Sequence, residues 1–196
     1  MITDRIIRSA TIENMADENG IVDVEKLSDL YNKISAKTII TGLTYVSENG
    51  RAMQKLQAAM VTQEQQRAWS ELVKKVKSHT PDKRLFVQLA HTGRQTTRYG
   101  AVGASNKKCS YFKNDVHPLS ETDIKGIVND FAKSAQMAKE AGFDYVGMSR
   151  PFVCEPDLVD KIKRGEWQKS ACTNCNFCTV YCDSENSVKC YRSKNG

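Results

Sequence analysis

Hydrophobic positions along the chain alternate between two periodicities. Four short apolar or β-branched runs have the length and composition of strands: Arg5-Ile6-Ile7-Arg8, Thr38-Ile39-Ile40-Thr41, Leu85-Phe86-Val87-Gln88-Leu89 and Tyr145-Val146-Gly147-Met148. Between them lie stripes at helical spacing. Leu27, Leu30, Tyr31 and Ile34 form the first, and Ala68, Trp69, Leu72, Val73 and Val76 the second, with Thr62 and Gln65 placed to make a capping box at its start. The third carries Ile124, Ile127, Val128, Phe131, Ala135 and Ala138. It opens at Ser120-Glu121-Thr122-Asp123 and stops at Gly142, which suits a C′ glycine. A fourth, shorter helix is predicted from Asp157 to about Arg164, ended by Gly165. Residues 95–119 show no period and read as a long loop, with His117, like His79, an ordinary loop residue.

Strands separated by helices pair in parallel through right-handed crossovers, so the class is α/β. An eight-unit barrel takes ~250 residues, and this chain has 196. The expectation is therefore a partial, TIM-barrel-like array of about four parallel βα units, followed by a Cys-rich C-terminal tail.

Composition narrows the function classes. A chain 40% hydrophobic and 27% charged is a folding chain rather than a disordered one. A mean hydropathy of -0.52 argues against membrane spans. The formal charge of +6 is mild, and acidic residues are interspersed throughout, so nucleic acid is not an expected partner. The first residues lack the basic-then-apolar layout of a signal peptide. Cys172, Cys175, Cys178, Cys182 and Cys190 crowd the tail, whereas Cys109 and Cys154 stand alone. A tight cluster without a leader reads as reduced thiols or a metal site, hence a cytoplasmic protein.

Three stretches carry chemistry. Gln88-Leu89-Ala90-His91-Thr92-Gly93-Arg94 closes the third strand, at the edge where parallel α/β folds bind ligands. A Gln amide both donates to and accepts from the edge of a planar heterocycle, and a nearby Arg balances an anion; the alternative is a polar strand end capped by water. Ser149-Arg150-Pro151 ends the fourth strand just before a short helix, a setting that suits a phosphate; the alternative is an Arg paired with Glu155 or Asp157. In the tail, Cys172-x2-Cys175-x2-Cys178-x3-Cys182 has the spacing of a bacterial ferredoxin run, with Asp183 in place of the usual proline. Iron–sulfur, structural zinc and a metal-free tail all remain open.

Several motifs occur together and in order: Asp4-Arg5-Ile6-Ile7-Arg8-Ser9-Ala10-Thr11, Ile39-Ile40-Thr41-Gly42-Leu43-Thr44-Tyr45-Val46, Gln88 to Arg94, Ala141-Gly142-Phe143-Asp144, and Met148-Ser149-Arg150-Pro151-Phe152 with Glu155-Pro156-Asp157-Leu158. This series resembles the old yellow enzyme family, NADH:flavin oxidoreductases built on an FMN-binding TIM barrel. The resemblance implies FMN as cofactor, with Ser9, Ala10 and Thr11 at the ring after the first strand. It also implies the Gly42 backbone against the isoalloxazine, Gln88 on its pyrimidine edge, and Ser149 and Arg150 on the phosphate. It makes His91 a support of the strand end rather than a catalytic base. Some members carry a [4Fe–4S] cluster at spacing close to Cys172-x2-Cys175-x2-Cys178-x11-Cys190, which makes these four the candidate metal ligands.

The resemblance also shows a gap. Asp144-Tyr145-Val146-Gly147 runs straight into Met148-Ser149-Arg150, so roughly the fourth to seventh βα units of the family are missing, with the His pair, or His and Asn, that bind the substrate oxygen; no catalytic residue is assigned. The layout implied is a truncated FMN-binding βα-barrel domain over residues 1–165 and a Cys-rich tail over 166–196. The activity implied is hydride transfer from NAD(P)H through FMN to an enone-like or other small-molecule acceptor. Two alternatives stand beside it: a non-catalytic flavin- or metal-binding remnant serving electron transfer or interaction, and a zinc-stabilised module whose basic tail meets an acidic partner. An open array of four strands is expected to work as a homodimer.

Overall fold

The computed structural model describes residues 5–97, 100–109, 112, 114–146, 150–166 and 187–191. It divides into two compact units, Met1–Gly147 and Met148–Gly196. The first is built on a parallel sheet of four strands, Ile7–Arg8 (β1), Thr38–Tyr45 (β2), Arg84–Ala90 (β3) and Tyr145–Val146 (β6), in the order β1-β2-β3-β6. Helices Val24–Lys33 (α1), Gln63–His79 (α2) and Glu121–Glu140 (α3) connect them. Sequential parallel strands joined by helices are the βα array that the pattern predicts, and the α/β class holds.

The helices start and stop where side chains satisfy their free backbone groups. Asp23 caps α1 by accepting from the Lys26 amide at 3.0 Å. Thr62 and Gln65 form the expected capping box on α2, Ser120 and Asp123 form another on α3, and each satisfies otherwise orphaned N–H groups. Gly142, at φ +94°, ends α3: its amide donates to Lys139 O at 3.1 Å and the Phe143 amide to Ala138 O at 3.2 Å. Those two bonds make a Schellman motif.

The core lies between one face of the sheet and the helices. Ile39, Leu85 and Val87 meet Leu27 and Tyr31 of α1, Trp69, Leu72, Val73 and Val76 of α2, and Met137 and Ala138 of α3. Trp69 is anchored by its indole N–H, which donates to Ala59 O at 2.9 Å, and Phe143 meets the ring edge-on at 5.3 Å. Because side chains alternate along a strand, Ile40 and Phe86 take the other face of the sheet. There Phe86 stacks on Tyr145 with ring centroids 4.5 Å apart.

Three details depart from the sequence pattern. Residues 95–119 hold a small parallel sheet of their own, Val102–Gly103 (β4) and His117–Pro118 (β5), so His117 is a strand residue. It buries Ala101, Val102 and Val116, an apolar set too short to show a period. The stripe on α3 is buried only in its second half; Ile124 and Val128 are 45% and 60% exposed. The helix predicted near Asp157 is Leu158–Lys163 (α5), and it is preceded by another short helix, Arg150–Cys154 (α4). Both belong to the second unit, where the Arg164 cap and Gly165, at φ +70°, close α5. Among the described residues no helix is long and apolar enough to cross a membrane.

Candidate functional site

The residues singled out in the first unit converge on the C-terminal ends of three adjacent strands. β1 ends at Arg8, whose guanidinium is held from three sides. Nη1 donates to Ile40 O and to Glu13 Oε1, both at 2.7 Å, and Nη2 donates to Thr11 O at 3.2 Å. These bonds fold the segment after β1 back over the sheet. Glu13 is nearly buried there and also accepts from the Tyr31 hydroxyl at 2.9 Å and from the Gly42 amide at 3.0 Å. Burial, with the Glu13 carboxylate alongside, pushes the Tyr31 phenol well above its usual range, so it stays a donor.

Gly42 sits in an irregularity of β2, where the pairing with β3 shifts between Ile40 and Leu43. A Cβ at Gly42 would come within 2.7 Å of Thr11 O and 2.8 Å of the Ile12 Cα, so the folded-back segment itself requires glycine. The bulge is stitched internally. Thr41 Oγ1 donates to Gly42 O at 3.0 Å and accepts from the Gln88 amide at 3.1 Å; Thr44 Oγ1 donates to the same carbonyl at 3.2 Å. Thr41 and Thr44 are both fully buried.

Gln88 lies opposite Leu43 on β3, two residues beyond Phe86 and on the same face. Its backbone is fixed by Thr41, while its side-chain amide makes no hydrogen bond among the described residues. Thr11 is exposed, and among the described residues its hydroxyl reaches only Ser9 O, at 3.3 Å.

His91 has no spare nitrogen. Nδ1 accepts from the Gly93 amide at 3.0 Å, which leaves Nε2 as the protonated nitrogen, 3.1 Å from Asn49 Oδ1. A Cβ at Gly50 would lie 2.7 Å from the imidazole Cγ, so the ring rests on a glycine. Burial holds the His91 pKa below its usual value against an opposing pull from Asp130. The ring braces the strand end, as the sequence leads one to expect. Nearby, Arg51 is buried over the Tyr45 ring at 5.2 Å and donates to Lys55 O at 2.6 Å.

Ser9, Ala10, Thr11, Gly42 and Gln88 are thus brought to neighbouring strand ends. Arg150 is the first residue of α4 in the second unit. Ser149, Cys172, Cys175 and Cys178 lie outside the described residues, and Cys190 falls in the described stretch 187–191. Among the described residues no group of His, Cys, Asp or Glu is placed to hold a metal. Sequence reasoning missed Glu13, Thr41 and Asn49. A carboxylate between Ile12 and Asn14 carries no periodic signal, and a Thr before a Gly reads as an ordinary strand residue.

The sequence model of the NADH:flavin oxidoreductase / NADH oxidase family matches residues 1–148. The chain belongs to this family. It is 34% identical over 110 residues to an NADPH dehydrogenase of Listeria welshimeri serovar 6b, across 55% of this chain and 31% of that protein. Among solved structures, morphinone reductase aligns with a TM-score of 0.64 at 24% identity, over 72% of this chain and 42% of that one. Its complex with tetrahydroNAD gives 0.65 at 22%, covering 77% and 48%. An old yellow enzyme homologue from Zymomonas mobilis gives 0.64 at 20%, covering 77% and 47%. The fold is shared with these enzymes, and the chain spans under half the length of each relative.

The donor set suits the flavin of this family. A Gln88 side-chain amide without a hydrogen bond among the described residues and an exposed hydroxyl on Thr11 lie towards the C-terminal ends of β3 and β1 and suit the polar edge of a flat ring, while Gly42 between them is buried, its amide held by Glu13 and its open side filled by Thr11 and Ile12.

Proposed function

We propose that the chain binds FMN across the ends of β1, β2 and β3 and works as an NAD(P)H-dependent flavin oxidoreductase. The observation that carries this reading is the convergence of Thr11, Gly42 and Gln88 on adjacent strand ends, within a segment that matches the family throughout. In this reading Gln88 holds the pyrimidine edge of the ring, Ser9, Ala10 and Thr11 close its side at β1, and the Gly42 backbone lies against it. Ser149 and Arg150 bind the phosphate. Bound FMN supplies the acceptance of a hydride from the nicotinamide and its delivery to an acceptor. The protein's part is to orient the ring and keep its polar edge paired.

The acceptor is proposed as an enone-like or other small molecule. A second reading, a flavin- or metal-binding remnant without alkene reduction, is favoured by one observation: β6 pairs directly with β3, and α4 begins at Arg150. That leaves no segment for the substrate-binding pair of the family. The tail, residues 166–196, is proposed as a separate appendage in which Cys172, Cys175, Cys178 and Cys190 hold a [4Fe–4S] cluster, with zinc as the alternative. Their spacing is the support, and the same crowding of cysteines, taken as reduced thiols or metal ligands, favours the cytoplasm as the compartment.

Titrating FMN against the full chain, followed by quenching of flavin fluorescence, tests the reading. Arg150→Ala is expected to weaken binding by about 1.5–3 kcal/mol, as befits loss of a charge-assisted bond to phosphate. Unchanged binding would overturn the phosphate assignment, and a parent that binds no FMN would overturn the function.

A further inference from the structure

Beyond Arg8 the chain leaves the sheet, and among the described residues the backbone of residues 9–14 makes no hydrogen bond to other backbone. Side chains set its course. Arg8 Nη2 donates to Thr11 O at 3.2 Å, and Arg8 Nη1 joins Glu13 Oε1 to Ile40 O, both at 2.7 Å. The Glu13 side chain is 8% exposed, and every group that reaches its two oxygens among the described residues is a donor. Arg8 of β1 and the fully buried Tyr31 of α1 meet Oε1, and the Gly42 amide of β2 is shared between Oε1 and Oε2 at 3.1 and 3.0 Å. Thr11 O and the Ile12 Cα fill the space that a Cβ on Gly42 would need. One carboxylate therefore joins two strands and a helix, and lays the segment after β1 on a strand residue without a side chain.

We propose that Glu13 is a positioning residue for the flavin: its carboxylate pins residues 9–13 onto Gly42 and so fixes where the Thr11 hydroxyl stands. The proposal rests on the FMN reading above, in which Thr11 closes one side of the ring. A hydroxyl on an exposed segment outside the strand ladder is a strong contact only when it is ordered before the ligand arrives; otherwise binding carries the cost of ordering it. Glu13→Gln turns one acceptor into an NH2 group, and either way round that group faces a donor, the Gly42 N–H or the Arg8 guanidinium. The segment must lift to relieve this contact, and Thr11, whose carbonyl rests on Gly42, moves with it. Contacts that depend on a fixed donor geometry are lost by small displacements.

A double-mutant cycle separates positioning from plain stability, with FMN titrated against the full chain by fluorescence quenching. Glu13→Gln and Thr11→Val are each expected to weaken FMN by about tenfold, the order of one lost hydrogen bond. The two changes together should weaken it no further than either alone, because both remove the same contact; independent sites would add. Tyr31→Phe supplies the control. It deletes the bond from α1 and leaves Glu13 held by Arg8 and Gly42. It should lower the urea midpoint, as Glu13→Gln does, yet bind FMN as the parent does. Additive losses in the double variant, parental affinity in Glu13→Gln, or a loss in Tyr31→Phe as large as that in Glu13→Gln overturns the proposal.

Backbone amide relaxation on the flavin-free parent gives a second readout that does not require the variants to fold. Thr11 and Ile12 are expected to be as ordered as β2; order parameters below about 0.6 would mark a segment that nothing positions and would overturn the proposal. A parent that binds no FMN overturns both the function and the positioning role. A parent that binds FMN alongside a Glu13→Gln variant that binds it equally well overturns the positioning role alone.

Discussion

His91 shows how one side chain ties local geometry to solution behaviour. Its neutral imidazole is required twice, as acceptor for the Gly93 amide at Nδ1 and as donor toward Asn49 at Nε2. Protonation would turn the acceptor into a donor facing a donor. Burial adds to this and lowers the pKa in the fold, while Asp130 opposes it. In the unfolded chain His91 takes up its proton near pH ~6.5. Between that pH and the lower folded value, the unfolded state holds more protons, so stability falls as pH drops through this window and is fully present above it. The carboxylates with lowered values, Asp123 and Asp157 among them, titrate further down. Urea midpoints at pH 7.5 and 5.5 are expected to differ more in the parent than in His91→Ala. Equal differences in the two proteins would show that this ring is not the titrating group.

Residues of this kind were legible to different degrees. His91 announced itself through its place after a strand, and Gln88 through the chemistry of its amide. Glu13 and Thr41 did not, because their meaning lies in tertiary partners: Glu13 meets Gly42 across 29 positions and Thr41 meets Gln88 across 47. No local period records such pairs.

At the scale of elements, the signals that held were those with a local mechanism. Thr62 with Gln65, Ser120 with Asp123, and the terminal glycines fixed where helices begin and end, because each acts within one turn of its own chain. The stripe on α3 misled for the opposite reason. Periodicity shows which face is apolar, and only tertiary structure decides whether anything covers it. The β4–β5 pair was invisible because two-residue strands carry no period at all.

The two terminal glycines give a graded test of these end signals. Gly142 lies at φ +94° with Val73 Cγ1 3.3 Å from where a Cβ would stand, whereas Gly165 lies at φ +70° with open space around it. Left-handed backbone costs an L-residue roughly 1–2 kcal/mol. Gly165→Ala should cost no more than that, and Gly142→Ala should cost as much plus the crowding against the core. Chemical denaturation of both variants measures the order, and a Gly142→Ala protein as stable as the parent would contradict the strain at the end of α3.

At the scale of the whole molecule, the sheet poses a question of cover. Parallel sheets are stable when both faces are buried. Here α1, α2 and α3 cover one face through Ile39, Leu85 and Val87. The opposite face carries Ile7, Ile40, Phe86 and Tyr145, and Ile7 and Tyr145 are 54% and 52% exposed. Both outer strands, β1 and β6, are two residues long and unpaired on their far sides among the described residues. Free edges invite strand pairing, and a contiguous apolar face rarely persists on a soluble monomer. A two-fold axis along the strand direction keeps all strands parallel, so β1 of one copy meets β6 of the next and the assembly closes at eight strands. A homodimer is therefore expected, near twice 22.0 kDa in sedimentation equilibrium at micromolar concentration. Tyr145→Arg places a charge on the closing face at its edge and should yield a monomer that binds a hydrophobic dye. A parent that sediments as a single 22.0 kDa species and binds no dye would rule the dimer out.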